Sequence, residues 1–183
     1  SEATIGLGLV ALLIAYLPAM YSAFSKRESS VALLAVYAGS PPSAVEMIIR
    51  IHRIRGLEFL GAEWSAWEQW FAELEESHTS QAALAYFRSP NPERSWVTAA
   101  GTVLDAAALT ASTLDVPRDA RAALCIRAGY LALRSIADYF MIPYDPDPVP
   151  TDPVSVERDE FDAAYDELAA AGVPLVEDRD QAW

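Results

Sequence analysis

Cysteine and histidine are almost missing from this 183-residue chain: there is one cysteine, Cys125, and there are two histidines, His52 and His78. A single cysteine excludes a disulfide scaffold, and no Cys/His set has zinc-type spacing. Positive charge is scarce as well. Twelve arginines and one lysine stand against 26 acidic residues, a formal net charge of −13. A chain so acidic is repelled by phosphate, which excludes a nucleic-acid binder working by bulk charge. Glycine-rich phosphate loops, Walker motifs and nucleophile elbows are absent, so the sequence points to no enzyme class and to no cofactor. What is abundant is apolar: 52 % of residues, with a mean hydropathy of +0.13. That content excludes global disorder.

High apolar content and high net charge are reconciled by where each sits. Ala3 to Phe24 is a run of 22 residues without a charge. As a helix it is about 33 Å long, enough for a hydrocarbon core of about 30 Å. Glu2 precedes it and Ser25-Lys26-Arg27 follows. A cleaved signal peptide would place positive charge before a shorter run. A fully buried core helix is the alternative to a membrane span. The transmembrane reading fits best, with Lys26 and Arg27 setting its C-terminal side in the cytoplasm and Tyr16 and Tyr21 near that interface. Gly6 and Gly8 permit close approach of a neighbouring helix, and Pro18 removes a helical hydrogen bond and is expected to bend the helix near Ile14. At the other end, Pro143 to Trp183 holds 12 acidic residues against 2 arginines, a net −10. The stretch between is close to neutral.

That middle stretch reads as helix throughout, with no hairpin signal and no repeat. Glu28 to Ala38 ends at Gly39. Ser40 is the expected cap of a helix Pro41–Arg55, which Gly56 stops. Over Leu57–Ser77, Leu60, Trp64, Trp67, Phe71 and Leu74 recur at helical spacing, with Glu63, Glu68, Glu73, Glu75 and Glu76 on the other positions. Because that polar face is acidic, the pattern reads as a buried aromatic seam rather than a membrane-surface anchor. A short helix Ser80–Phe87, a long one from Pro92 to Leu114 and another from Pro117 to Phe140 follow, the last with Leu124, Ala128, Leu131 and Ile136 as core candidates. Five prolines within Pro143–Pro153 forbid helix and predict an extended strap. Ser155–Ala171 is an acidic helix with Val156, Phe161, Ala164, Tyr165 and Leu168 as its apolar stripe, stopped by Gly172.

Few residues invite chemistry. Glu75, Glu76 and His78 form the best polar constellation, an acid–base pair or a weak metal site in principle. The plainer reading is a helix C-terminus at which His78 meets exposed carbonyls. Arg88, Arg94, Arg121, Arg127 and Arg134 could gather round an anion, but pairing with Asp105, Asp115, Asp119 and Asp138 is the simpler expectation. Cys125 lies in an apolar helical context and reads as core.

The segment EATIGLGLVALLIAYLPAMYSAFSKRE (Glu2 to Glu28) resembles the inner helix of bacterial two-transmembrane, potassium-channel-like proteins. VALLAVYAGSPPSAVE (Val31–Glu46) and SHTSQAALAYFRSPNPERSWVTAAGTVLDAAALTAS (Ser77–Ser112) look like the cytoplasmic region that follows it. A filter loop like TVGYG is absent, and the resemblance would place it before residue 1. The resemblance implies that Gly6, Gly8 and Pro18 lie where an inner helix packs or bends, that the parent is a homo-oligomer in the cell membrane, and that a monovalent cation passes its pore. The expected architecture is thus all-α: a transmembrane helix with basic flank (1–27), a cytoplasmic helical bundle (28–142), a Pro/Asp-rich linker (143–154) and an acidic C-terminal helix and tail (155–183). Its expected partner is the lipid bilayer, with no nucleic acid and no metal. The function expected is that of a non-enzymatic assembly or regulatory domain of a channel-like protein. The alternatives are a membrane-anchored interaction module without transport and a helical enzyme using Glu75, Glu76 and His78.

Overall fold

The computed structural model describes residues 2–145 and 157–183; for Glu2, Ala3, Thr4, Leu9, Leu12, Leu13 and Ala15 it describes the backbone alone. Most of the expected proline linker, and Val156, lie outside the described residues.

The fold is all-α. The first helix, α1 (Glu2–Ala38), is continuous for 37 residues. It runs unbroken through Pro18 and through the expected boundary at residue 27, so the uncharged run and the following stretch Glu28–Ala38 are one rod. Its two halves differ. From Met20 onward a stripe at spacings of 4, 3, 4, 3 and 4 residues turns inward: Met20, Phe24, Arg27, Val31, Leu34 and Ala38, all buried except half-buried Phe24. Before Met20 the described side chains are exposed.

Gly39, at φ +82°, ends α1 as expected of a residue free to enter the left-handed region. The next helix, α2 (Ala44–Ile54), starts three residues later than Ser40 predicts. Ser43 caps it, its hydroxyl accepting the Glu46 N–H, because Pro41 and Pro42 belong to the turn rather than to the first helical turn. Gly56, at φ +90°, follows the C-cap. A single 3₁₀ turn (Leu57–Phe59) then leads into α3 (Leu60–Ser80).

The aromatic seam of α3 is core, as the spacing implies. Leu60, Trp64, Trp67, Phe71, Leu74 and His78 are buried at intervals of 4, 3, 4, 3 and 4. A 3₁₀ segment (Ala82–Tyr86) replaces the expected short helix. Helix α4 (Trp96–Thr113) begins at the Ser95 cap rather than at Pro92, and α5 (Ala120–Tyr139) begins at the Asp119 cap rather than at Pro117.

The inward face of α5 matches the expected one only in part. Ile136 and Cys125 are buried and Ala128 is half-buried, but Leu124 and Leu131 are exposed, and Ala122, Gly129 and Ala132 are buried in their place. The reason is the partner. α5 packs chiefly on α3, whose seam is aromatic, so the facing surface has to be small. A methyl group added at Gly129 would lie 2.6 Å from Leu104 Cδ2 and 3.0 Å from Phe71 Cζ.

The acidic end folds onto this body. Helix α6 (Arg158–Ala170) carries a capping box between Glu157 and Glu160 and buries Phe161 and Leu168. Gly172, at φ +76°, stops it. An antiparallel bridge joins Leu114 and Leu175, with Asp115 N–H donating to Pro174 O (3.0 Å) and Val176 N–H to Thr113 O (2.9 Å). The four-residue α7 (Arg179–Ala182) packs on α4.

The seam gives a direct test. Phe71→Ala should cost about 3–5 kcal/mol in urea unfolding, as for a fully buried aromatic, whereas Leu131→Ala should stay within about 0.5 kcal/mol. Equal losses would mean that α5 presents the leucine face after all.

Candidate functional site: an arginine clasp beneath an apolar half-helix

Two inward stripes meet at their polar members. Arg27 occupies a core position of α1, and His78 closes the seam of α3. Their side chains touch, Arg27 Nη1 lying 3.1 Å from His78 Nε2. The imidazole Nδ1 is 2.9 Å from Leu74 O. A carbonyl can only accept, so Nδ1 carries the proton and Nε2 accepts from Arg27.

The remaining guanidinium donors are also engaged. Nη1 donates to Leu84 O (3.1 Å), Nη2 to Phe87 O (2.7 Å), and Nε and Nη2 to Glu28 Oε1 (3.2 and 3.1 Å). Arg27 thus ties α1 to the end of α3 and to the 3₁₀ segment beyond it, with 5 % of its surface exposed. The ring of Phe24 lies under the guanidinium and 6.0 Å from that of Phe87, and the ring of Trp96 lies tilted against His78 with centroids 4.9 Å apart.

Electrostatics follow from burial. Desolvation pulls the Arg27 pKa below its usual value, and Glu28 opposes it. Burial, helped by the positive charge of Arg27, pushes His78 down to about 4. His78 is therefore neutral at pH 7, the state that its acceptor role requires. Beside this junction Lys26 donates to Glu73 at 2.6 Å. Burial works against that carboxylate, but hydrogen bonds from Lys26 and Gln69 outweigh it and hold its pKa below the usual range. Both basic residues that follow the uncharged run are thus held by the body.

His78 is accordingly buried in the last turn of α3 rather than exposed, with its ring nitrogens on Arg27 and Leu74 O. Glu76 lines a small cleft of about 130 Å³ with Lys26 and Arg27, and Glu75 is engaged through its backbone carbonyl, which accepts from Thr79 Oγ1. Neither carboxylate is among the hydrogen-bond partners of His78. Among the described residues no group of three or more His, Cys, Asp or Glu side chains could hold a metal. Cys125 is buried, and its thiol is pushed up to about 12 by desolvation, with Glu68 adding to the effect.

Of the five arginines, Arg121 is the one that pairs with an aspartate among the described residues, Asp119 at 2.7 Å. Arg127 and Arg134 lie over the ring of Tyr130. Arg88 and Arg94 line a cavity in the loop before α4. Gly6 and Gly8 face open space, with nothing within 4 Å of an added Cβ. The clasp itself is missed by sequence reasoning, although one signal was present: a charge at a stripe position between Phe24 and Val31.

No protein-family model matches the chain, and neither a curated protein nor a solved structure matches it.

Burial of His78 has a pH consequence. Its pKa is about 4 folded and 6.5 in the unfolded chain, so between these values the unfolded chain takes up a proton that the folded one refuses. Stability should fall as pH drops from 6.5 to 4, by roughly 2 kcal/mol from this group once partial solvent screening is allowed for. In urea titrations across that range His78→Gln should flatten the slope relative to the parent chain. Arg27→Met should raise the His78 pKa, read by NMR titration of the imidazole. An unmoved histidine would show that the two side chains do not meet.

Proposed function

We propose that the chain is a membrane-anchored, all-helical module whose anchor is the first half of α1 and whose body lies on the cytoplasmic side. The observation that carries this reading is the condition of the anchor's side chains. Ile5 is 68 % exposed, Leu7 73 % and Ile14 68 %, with Val10, Leu17 and Tyr21 also exposed. At 100° per residue, Ile5 and Tyr16 project to one side and Leu7, Val10, Ile14, Leu17 and Tyr21 to the other. A helix that is apolar on all sides needs an apolar surrounding, and the body does not supply it. Each such side chain favours burial by about 1.5–3 kcal/mol. Among the described residues no helix is long and apolar enough to cross a membrane. Six side chains of the run lie outside that description, and it is as a sequence that Ala3–Phe24 has 22 uncharged residues.

The resemblance of Glu2–Glu28 to a channel inner helix extends the same reading. On it, the anchors of several copies pack together around a pore, and the body serves assembly or regulation. The open space around Gly6 and Gly8 supports close approach of a second helix.

The full chain should float with phosphatidylcholine vesicles and resist alkaline extraction. Val10→Arg with Ile14→Arg should release it, since each charge near mid-bilayer costs about 2.5–3.5 kcal/mol on insertion scales. A parent chain that stays in the aqueous fraction without detergent would sink the proposal. Gly8→Leu should leave the body's unfolding unchanged and weaken cross-linking between copies in micelles. Unaltered cross-linking would remove the glycine face from the assembly.

A further inference from the structure

The loop between the 3₁₀ segment and α4 encloses a cavity of about 510 Å³, lined in part by Phe87, Arg88, Ser89, Asn91, Arg94 and Ser95. Its charge is unlike that of the rest of the molecule. The chain has twice as many acidic as basic residues, yet this lining holds two arginines and no carboxylate. Among the described residues the Arg88 side chain has no hydrogen-bond, ion-pair or ring partner. The Nε of Arg94 is buried and makes no hydrogen bond. Neither arginine forms an ion pair among the described residues, as is also true of Arg53, Arg118, Arg127 and Arg134. The nearby Glu93 carboxylate is occupied elsewhere, accepting from the Ser40 hydroxyl at 3.1 Å.

The loop is also held in shape. Ser89 Oγ accepts from Asn91 N–H, Asn91 Oδ1 from Glu93 N–H, and Ser95 Oγ from Val97 N–H. Ser95 opens the 18-residue α4, whose positive dipole end adds to the two guanidinium charges. Guanidinium forks, hydroxyls and an amide around one cavity are the donor set that phosphate oxygens take.

We infer that this cavity is a binding site for a phosphate oxyanion, held by Arg88 and Arg94. Its position says where the phosphate comes from. Arg27 fixes Leu84 and Phe87 to α1, and the Phe87 ring lies 6.0 Å from that of Phe24, the last residue of the uncharged run. Tyr86 and Phe87 are exposed there, 78 % and 47 %. The cavity thus adjoins the level at which a bilayer's hydrocarbon would end and its headgroup phosphates begin. The source, an anionic lipid headgroup, rests on the membrane reading above; the oxyanion site does not.

The full chain in neutral detergent micelles tests both. Tryptophan emission, to which the cavity-lining Trp96 contributes, is followed during titration with phosphatidylglycerol in the micelle and, separately, with sodium phosphate against sodium chloride at matched ionic strength. A saturable response to phosphatidylglycerol, about tenfold weaker in Arg88→Gln and in Arg94→Gln and unchanged in Arg118→Gln, supports a lipid headgroup site. The same variant pattern with inorganic phosphate alone supports the oxyanion site and overturns its lipid source. No saturation by either probe, or equal affinity in the arginine variants, overturns the site. Arg88 is exposed, so its variant stays informative if Arg94→Gln fails to fold. Flotation of the parent chain with phosphatidylcholine alone reports on the anchor independently, because that bilayer has no net charge to bind.

Discussion

The arrangement of this molecule depends on one buried guanidinium. Arg27 stands at a position of the α1 stripe where an aliphatic side chain would serve packing better, and each of its five N–H donors finds an acceptor. A charge taken out of water is tolerated only when it is so fully satisfied. The acceptors come from three places: the neighbouring Glu28, the last turn of α3, and the backbone of the segment after it. Sliding α1 by one turn against α3 would strand the guanidinium and leave the Nε2 of His78 unmatched. The polar pair therefore sets register between two seams that are otherwise apolar, in the way a buried polar residue sets register in a coiled coil.

The two halves of α1 have different surroundings. Below Met20 the helix is amphipathic and spends its apolar stripe on the body. Before it the helix is apolar on every side for which side chains are described, and among the described residues it finds nothing to bury against. The acidic residues are concentrated at the opposite end, where Asp162, Asp166 and Asp180 pair with Arg158 and Arg179 on the surface. Such exposed pairs contribute little stability each. The C-terminal unit is held by Phe161, Leu168 and Val173 and by the backbone bridge to Leu114.

Much of the fold was legible in the sequence because its stops are chemical. Gly39, Gly56 and Gly172 all have positive φ and all close a helix, and the α3 seam was readable from its aromatic spacing. Helix starts were misplaced where a proline stands close to a cap: Ser43, Ser95 and Asp119 do the capping, each a few residues inside the expected bound. The inward face of α5 was legible at Cys125 and Ile136 but not elsewhere, since Leu124 and Leu131 make a plausible stripe in isolation. The side chains of Leu104 and Phe71 on the facing helices leave no room for a Cβ at Gly129, which is information from packing and not from spacing along α5. The candidate site was legible only in its parts. His78 was visible as a polar residue at the end of a seam, but its partner is 51 positions away, and single-sequence spacing carries no information on such a pairing.

The continuity of α1 has a mechanical corollary. No turn or glycine interrupts the backbone between Phe24 and Val31, so nothing lets the two halves swivel about each other. The one place where the ladder of hydrogen bonds is missing a rung is at Pro18, which has no N–H to give to Ile14. That compliant point lies nine residues before the clasp. A torque applied to the first few turns is absorbed there, whereas one applied below it reaches Arg27 undiminished and is passed to α3, making the lower part of the helix a stiff crank with its bearing in the body.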